Sequence, residues 1–161
     1  MGQQLHRAFN VKYSGLVPTL ITPVQIRPAK QLYGDSAGQQ FNAIWDTGAT
    51  HSCISHAVVK ALKLPASGKR PVKGVNSSGV ASTYFVDLLL PSSVTVAQVE
   101  VAAVDVGCDI LIGMDVISLG DFTICNHGVT EFSFSIPAHE NKFNLVERSE
   151  KVNKRLLKTQ R

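Results

Sequence analysis

The feature that most constrains this chain is a carboxylate placed directly after a short apolar strand. Residues 41–45 are mostly apolar and predict a strand, and an Asp-Thr-Gly-Ala-Thr turn follows at residues 46–50. The glycine in this turn lets the backbone bend sharply and approach another molecule closely. Asp and Gly are also common in ordinary turns, so the stretch alone leaves two interpretations of Asp46 open: a reactive carboxylate or a turn residue.

A second apolar segment with a glycine lies further along the chain. Residues 109–112 predict a buried strand, Gly113 a turn, and residues 115–119 a short helix that Gly120 ends. Asp115 has no Thr-Gly after it, so it does not repeat the first motif. We interpret it as a structural residue that caps the short helix or bonds near the residue 46–50 turn.

Between these two motifs the sequence predicts a β-hairpin, with strands at residues 72–75 and 80–90. Small, flexible residues form the predicted tip, which comprises Gly74, Val75, Asn76, Ser77, Ser78 and Gly79. Such a hairpin is either ordinary surface or a flap that closes over a bound chain and expels water.

Taken in order, these three features resemble the retropepsin-like aspartic proteases, a family of retroviral enzymes and stand-alone bacterial and phage relatives. The resemblance covers about residues 19–136. It implies a mostly-β fold, a closed acid-protease β-barrel with a flap hairpin and two short helices. The chain departs from the retroviral pattern at Met114, where those enzymes often carry an Arg that braces the dimer.

The resemblance also implies roles for individual residues. Asp46 would be catalytic, Thr47 would bond the two active loops together, Gly48 would contact substrate, and Ala49 would complete the loop. Gly113 and Asp115 would be structural residues near the site. The chain carries one Asp-Thr-Gly, and the chemistry needs two carboxylates about 3 Å apart that share a proton. The sequence therefore predicts a homodimer that hydrolyses polypeptide.

Other kinds of site fit the sequence less well. His51, Cys53 and His56 match no common zinc spacing, so we expect neither a metal nor a cofactor. A Gly-x-Ser-x-Gly elbow and a phosphate-binding glycine loop are both absent from the sequence. The rival hypothesis is a retropepsin-like dimerisation or peptide-binding module with little or no proteolytic activity.

Charge divides the chain into two parts. The net charge is +4, and residues 147–161 hold six basic and two acidic residues, so the rest is neutral. We predict a protease domain at residues 1–137 and a basic tail at residues 138–161, helical or mobile. Because acids interleave with the tail's cations, we expect a solvated helix face and no nucleic-acid partner. Three scattered cysteines and the lack of a spanning or secretory segment predict a cytoplasmic protein without membrane contact.

The remaining elements follow from local pattern. Ser55 is predicted to cap a helix at residues 56–62, and Pro23 is expected at a strand edge or bulge. Other predictions are strands at residues 19–27 and 94–104, a loop at residues 32–39, a hairpin at residues 122–136, and an N-terminal arm at residues 1–14.

Overall fold

The computed structural model describes residues 5–74, 78–139 and 144–159. The strands are β1 Arg7–Lys12, β2 Leu20–Pro28, β3 Gln39–Trp45, β4 Cys53–Ile54, β5 Gly68–Lys73, β6 Ser78–Leu89, β7 Thr95–Ala103, β8 Ile110–Ile112, β9 Asp121–His127 and β10 Val129–Ile136. The helices are α1 Lys30–Tyr33, α2 His56–Leu62, α3 Met114–Ile117 and α4 Leu145–Thr159, with a 3-10 turn at Pro91–Ser93.

Six of these strands close into a barrel in the order β2-β3-β8-β4-β7-β6. Closure occurs because β2 pairs with β3 along its length and with β6 at its C-terminal end, where Gln25 lies opposite Leu89. Strand β5 extends β6 outward, and a separate three-stranded sheet has the order β1-β10-β9. The predicted mostly-β closed barrel is therefore confirmed.

The barrel interior is filled by alternate residues of the strands. Val24, Ile26, Ile110 and Ile112 have no exposed surface, because successive side chains on a strand point to opposite faces. The smaller sheet packs on the barrel through an aromatic cluster that comprises Phe9, Trp45, Phe122, Phe132 and Phe134. Trp45 belongs to β3, so this cluster supports the strand end that precedes Asp46.

The structure shows where two predicted features lie, the proline at position 23 and the N-terminal arm. Pro23 lies in β2 opposite Asn42, in the part of the strand that β6 does not reach, so its missing N–H costs no ladder bond on that side. The predicted N-terminal arm contains β1, which pairs with β10 from Arg7 opposite Ile136 to Lys12 opposite Glu131.

The predicted loop at residues 32–39 is wrong at its start, where the four-residue helix α1 ends. A buried carboxylate far along the chain stabilises this helix. Asp87, 2% exposed, accepts hydrogen bonds from the Lys30 N–H and from Arg27 Nε, both at 3.1 Å. It also accepts the Gln98 N–H at 3.1 Å, beside an irregularity in the β6–β7 ladder. No local sequence pattern predicts a helix that is stabilised by a carboxylate so distant in sequence.

The hairpin predicted between the motifs is present as β5 and β6, but its strands are longer than predicted. Ser78 and Gly79 belong to β6 and lie opposite Lys73 and Val72, so assigning them to the tip was wrong. A Cβ added at Gly79 would meet nothing within 4 Å, so this position of the strand has room for a side chain. Of the other tip residues, Gly74 is exposed, while Val75, Asn76 and Ser77 lie outside the described residues.

The helices agree in large part with the local signals. The Ser55 hydroxyl accepts the Val58 N–H at 3.3 Å, which confirms the predicted cap of α2. Helix α3 begins one residue before the predicted start and ends before Leu119.

Every described side chain of α4 is exposed. No helix in the described ranges is long and apolar enough to cross a membrane. The domain boundary at residue 137 stays a prediction.

Candidate functional site

Asp46 lies where β3 leaves the barrel. Strands β3 and β8 run parallel, with Trp45 opposite Ile112, and the Asp46 N–H donates to the Ile112 carbonyl at 2.9 Å. The Asp46 side chain is half-buried, and its Oδ1 accepts the Gly48 N–H at 2.8 Å. Oδ1 is thereby held within its own turn. Thr47 and Gly48 are exposed.

The Gly113 turn packs directly against the Asp46 turn. The Met114 N–H donates to the Ala49 carbonyl at 2.8 Å. A Cβ added at Gly113 would lie 2.8 Å from the His51 carbonyl carbon and 2.9 Å from the Ala49 oxygen. Only glycine allows this approach, so the position predicted to be structural has a steric reason to be glycine.

Asp115 also reaches back to the segment after Asp46. Its Oδ2 accepts the Ser52 N–H at 2.9 Å, and its Oδ1 accepts the Ser52 hydroxyl at 2.7 Å. The sequence left two interpretations of Asp115 open: a cap of α3, or a residue that bonds near the Asp46 turn. The geometry agrees with the second, because Gly113 and not Asp115 occupies the N-cap of α3. Ser52 itself was missed; a hydroxyl residue directly before the short segment Cys53–Ile54, which forms β4, is the signal that could have found it.

A cleft of about 420 Å³ opens beside these turns. Asp46 and Thr47 are among its polar lining residues, and Leu20, Ile44 and Ile124 are among its apolar ones. The cleft combines a carboxylate with apolar walls, which is the usual character of a binding site for a molecule with apolar side chains.

The residues weighed as zinc ligands have separate partners. His56 Nδ1 lies 3.0 Å from Asp105 Oδ2, and His51 Nδ1 lies 3.0 Å from the Thr50 hydroxyl. Burial raises the pKa of the Cys53 thiol to about 11, which keeps it protonated at neutral pH. Among the residues that the structure describes, no three His, Cys, Asp or Glu side chains are grouped to hold a metal ion.

The site's motifs match a known protein family. A family model for aspartyl proteases matches residues 33–116, just over half of the chain, and this match includes both the Asp46 and the Gly113 turns. The chain belongs to the aspartyl protease family. As a member it is an aspartic-type endopeptidase, the enzyme class that the sequence predicts. No curated protein matches the chain significantly.

Two solved structures of aspartic proteases share the fold, and a third match is weaker. A retropepsin-like aspartic protease from Rickettsia conorii has a TM-score of 0.53 and 11% identity, covering 84% of this chain and 98% of that one. EIAV protease in complex with the inhibitor HBY-793 has a TM-score of 0.51 and 20% identity, covering 67% and 92%. The foamy viral protease–reverse transcriptase, in complex with an RNA/DNA hybrid, has a TM-score of 0.45 and 24% identity. That match covers 63% of this chain and only 12% of the viral chain. The predicted retropepsin-like barrel is confirmed.

Proposed function

We propose that this aspartic protease acts as a homodimer in which Asp46 of each copy supplies one of two catalytic carboxylates. One observation carries the proposal: each chain has a single Asp-Thr-Gly, and its Asp46 lines an open cleft. A second copy related by a two-fold axis brings an identical turn to the same place. Thr47 then bonds across the axis, and Gly48 offers its backbone to the substrate.

The reaction follows from the protonation of the pair. Two carboxylates about 3 Å apart cannot both ionise, so they share one proton. The ionised carboxylate removes a proton from a bound water, and the water oxygen attacks the peptide carbonyl carbon. The protonated partner donates its proton to the leaving nitrogen as the C–N bond breaks. Two peptide ends are released, and the pair again carries one proton, now on the other carboxylate, which by the two-fold symmetry is its starting state.

Strand β9 is the surface that we assign to the partner copy. It is one of the two edge strands of its sheet, and its sequence from Asp121 to His127 contains no Lys or Pro, the residues that usually protect an edge from pairing. Ile124 of β9 is 46% exposed and lines the same cleft as Asp46. Met114, which replaces the bracing Arg of retroviral relatives, is 37% exposed beside the turn. Burying these apolar side chains would stabilise the dimer.

The substrate in this proposal is an extended polypeptide. The apolar walls of the cleft, with Leu20 and Ile44, suit apolar side chains next to the scissile bond. By resemblance, six to eight substrate residues would bind, and the β5–β6 hairpin would serve as the flap over them. Backbone groups of such a hairpin can bond to an extended chain as an added strand does. The absence of nucleic-acid and membrane partners and a cytoplasmic location remain predictions.

Asp46→Asn tests the proposal. Asn has nearly the same volume as Asp but cannot act as the base, and in the dimer both copies change at once. General acid–base catalysis is typically worth about 10²–10⁴ in rate, so cleavage of a mixed peptide library, followed by mass spectrometry, should fall to background. The fold and the dimer should persist, because Asn keeps the shape of Asp and removes the unfavourable interaction between two carboxyl groups that cannot both ionise.

Asp105→Asn is the matched control, because Asp105 is exposed and bonds only to His56 in the described structure. It should retain wild-type activity. Mixing Asp46→Asn with wild-type protein should lower activity further than dilution does, since mixed dimers hold one carboxylate. Substantial cleavage by Asp46→Asn would overturn the catalytic role. An inactive wild type that still binds peptides as a dimer would support the binding-module alternative.

A further inference from the structure

Ser52 is a fully buried polar residue at the far end of the Asp46 turn, with 0% of its surface exposed. We propose that Ser52 is a positioning residue for catalysis: together with Asp115 it holds the Asp46 turn in the geometry that the carboxylate pair needs. The inference rests on the proposed function of Asp46. It concerns a residue that contacts neither substrate nor the reacting atoms and acts through the backbone of the turn.

The Ser52 hydroxyl both donates and accepts a hydrogen bond. It donates to Asp115 Oδ1 at 2.7 Å and accepts the Gly113 N–H at 3.0 Å, while the Ser52 N–H donates to Asp115 Oδ2 at 2.9 Å. Asp115 Oδ1 also accepts the Val116 N–H at 3.0 Å. Ser52 therefore joins the end of the Asp46 turn to both the Gly113 turn and the start of α3.

The turn between Asp46 and Ser52 is held at three points. At its start the Asp46 N–H bonds to Ile112, and in its middle Ala49 accepts the Met114 N–H. Ser52 supplies the third point. The first two attachments use only backbone groups, which any sequence has, whereas the third also uses one side-chain hydroxyl and one carboxylate. Ser52→Ala removes the two bonds of the hydroxyl, while the Ser52 N–H bond to Asp115 Oδ2 and the Ala102 N–H bond to the Ser52 carbonyl, at 3.4 Å, remain.

Loss of the hydroxyl would be transmitted to the turn through Gly113. Without the hydroxyl the buried Gly113 N–H loses its acceptor. Gly113 then shifts toward another acceptor, because leaving a buried donor unpaired costs free energy. Gly113 already lies against Ala49 and His51 with no room for a Cβ, so a shift of Gly113 displaces the turn. Displacements of about 1 Å can reduce the rate of an enzymatic step about 10²-fold.

The experiment compares Ser52→Ala with Ser55→Ala. Ser55 is a serine three residues away that caps α2 through Val58, so its loss costs stability without touching the Gly113 turn. Ser52→Ala should lower kcat about 10–100-fold with little change in KM, because the water-activating group is displaced and the cleft walls are not. Ser55→Ala should keep kcat close to wild type at temperatures where both variants are folded.

The pH profile separates positioning from a loss of folded protein. The width of the active range reflects how strongly the two carboxylates interact. If Ser52→Ala weakens the interaction between the two carboxylates, the two apparent pKa values that bound the active pH range should move closer together. A smaller folded fraction would lower the whole profile and leave its width unchanged. Ser52→Thr keeps the hydroxyl and should recover most of kcat.

If Ser52→Ala does not fold, Asp115→Asn takes its place in the experiment, since it keeps the size of the side chain and removes one acceptor for Ser52. It should show the same kcat loss and the same narrowed pH range. Equal kcat for Ser52→Ala, Asp115→Asn and Ser55→Ala would overturn the inference while Asp46→Asn remained inactive. Activity in Asp46→Asn would instead overturn the proposed function itself.

Discussion

Trp45 Nε1 donates a hydrogen bond to the Thr22 hydroxyl oxygen at 2.9 Å inside the barrel. Thr22 is fully buried, and the indole ring stacks on Phe122 with centroids 5.5 Å apart and planes 17° apart. Trp45 is therefore held by the barrel on its polar side and by the smaller sheet on its apolar side. Because Asp46 follows Trp45 directly, this bond positions the start of the Asp46 turn.

Thr22→Val should destabilise the fold, because it replaces the hydroxyl by a methyl group of similar size and leaves the buried indole N–H without its acceptor. Such a loss costs about 1–3 kcal/mol. For a chain of this length each kcal/mol lowers Tm by about 2–4 °C, which calorimetry can resolve. Thr95→Val, at an exposed position of β7, is the control and should leave Tm close to wild type. Equal Tm values for the two variants would mean that the bond does not contribute.

Ile124→Glu should break the proposed dimer. It places two like charges where we expect β9 of each copy to meet, while Ile124 is exposed enough in the single chain for the fold to tolerate the change. Analytical ultracentrifugation should detect a monomer, and peptide cleavage should be lost. Leu32→Glu, on the 50%-exposed Leu32 of α1, is the matched control and should remain dimeric and active.

Wild-type specific activity should also rise with protein concentration until the dimer is saturated. Full activity in Ile124→Glu, or in wild-type protein diluted until no dimer is detected, would contradict an intermolecular active site.

Activity should be highest under mildly acidic conditions and fall as pH becomes alkaline. In the proposed pair two carboxylates share one proton, and raising the pH removes that proton and leaves no acid to protonate the departing nitrogen. Initial rates on one cleaved peptide between acidic and alkaline pH measure this directly. Added chelator should not change the rate. A rate that still climbs above neutral pH would indicate a different nucleophile.

The three thiols should differ in reactivity. Burial raises the pKa of Cys53 from 9.0 to about 11, and burial likewise raises the pKa of Cys108, while Cys125 is exposed. The thiolate is the nucleophile, so at pH 8 iodoacetamide should modify Cys125 first and Cys53 last. Peptide mapping by mass spectrometry gives the order. Cys53 should become reactive only as pH approaches its raised pKa, and rapid labelling of Cys53 at pH 8 would contradict its burial.

Several parts of this protein could be predicted from sequence because their causes are local. Alternating apolar residues indicate β2 and β7, and the Ser55 hydroxyl is three residues from the N–H that it caps. The two turns at Asp46 and Gly113 are recognisable because glycine and small residues interrupt apolar strands. Their order along the chain is what makes the family resemblance specific, and the family match agrees with it.

The sequence by itself therefore determined strands such as β2 and β7, the Asp46 and Gly113 turns, and the family to which they belong. Only the tertiary structure decided that Asp87 would stabilise α1, that Ser52 would join Asp115 and Gly113, and that Trp45 would bond to Thr22. The physical reason is the same in each case. A buried polar group must find a partner, and in a closed barrel that partner is supplied by a strand or turn distant in sequence, which no local pattern reveals.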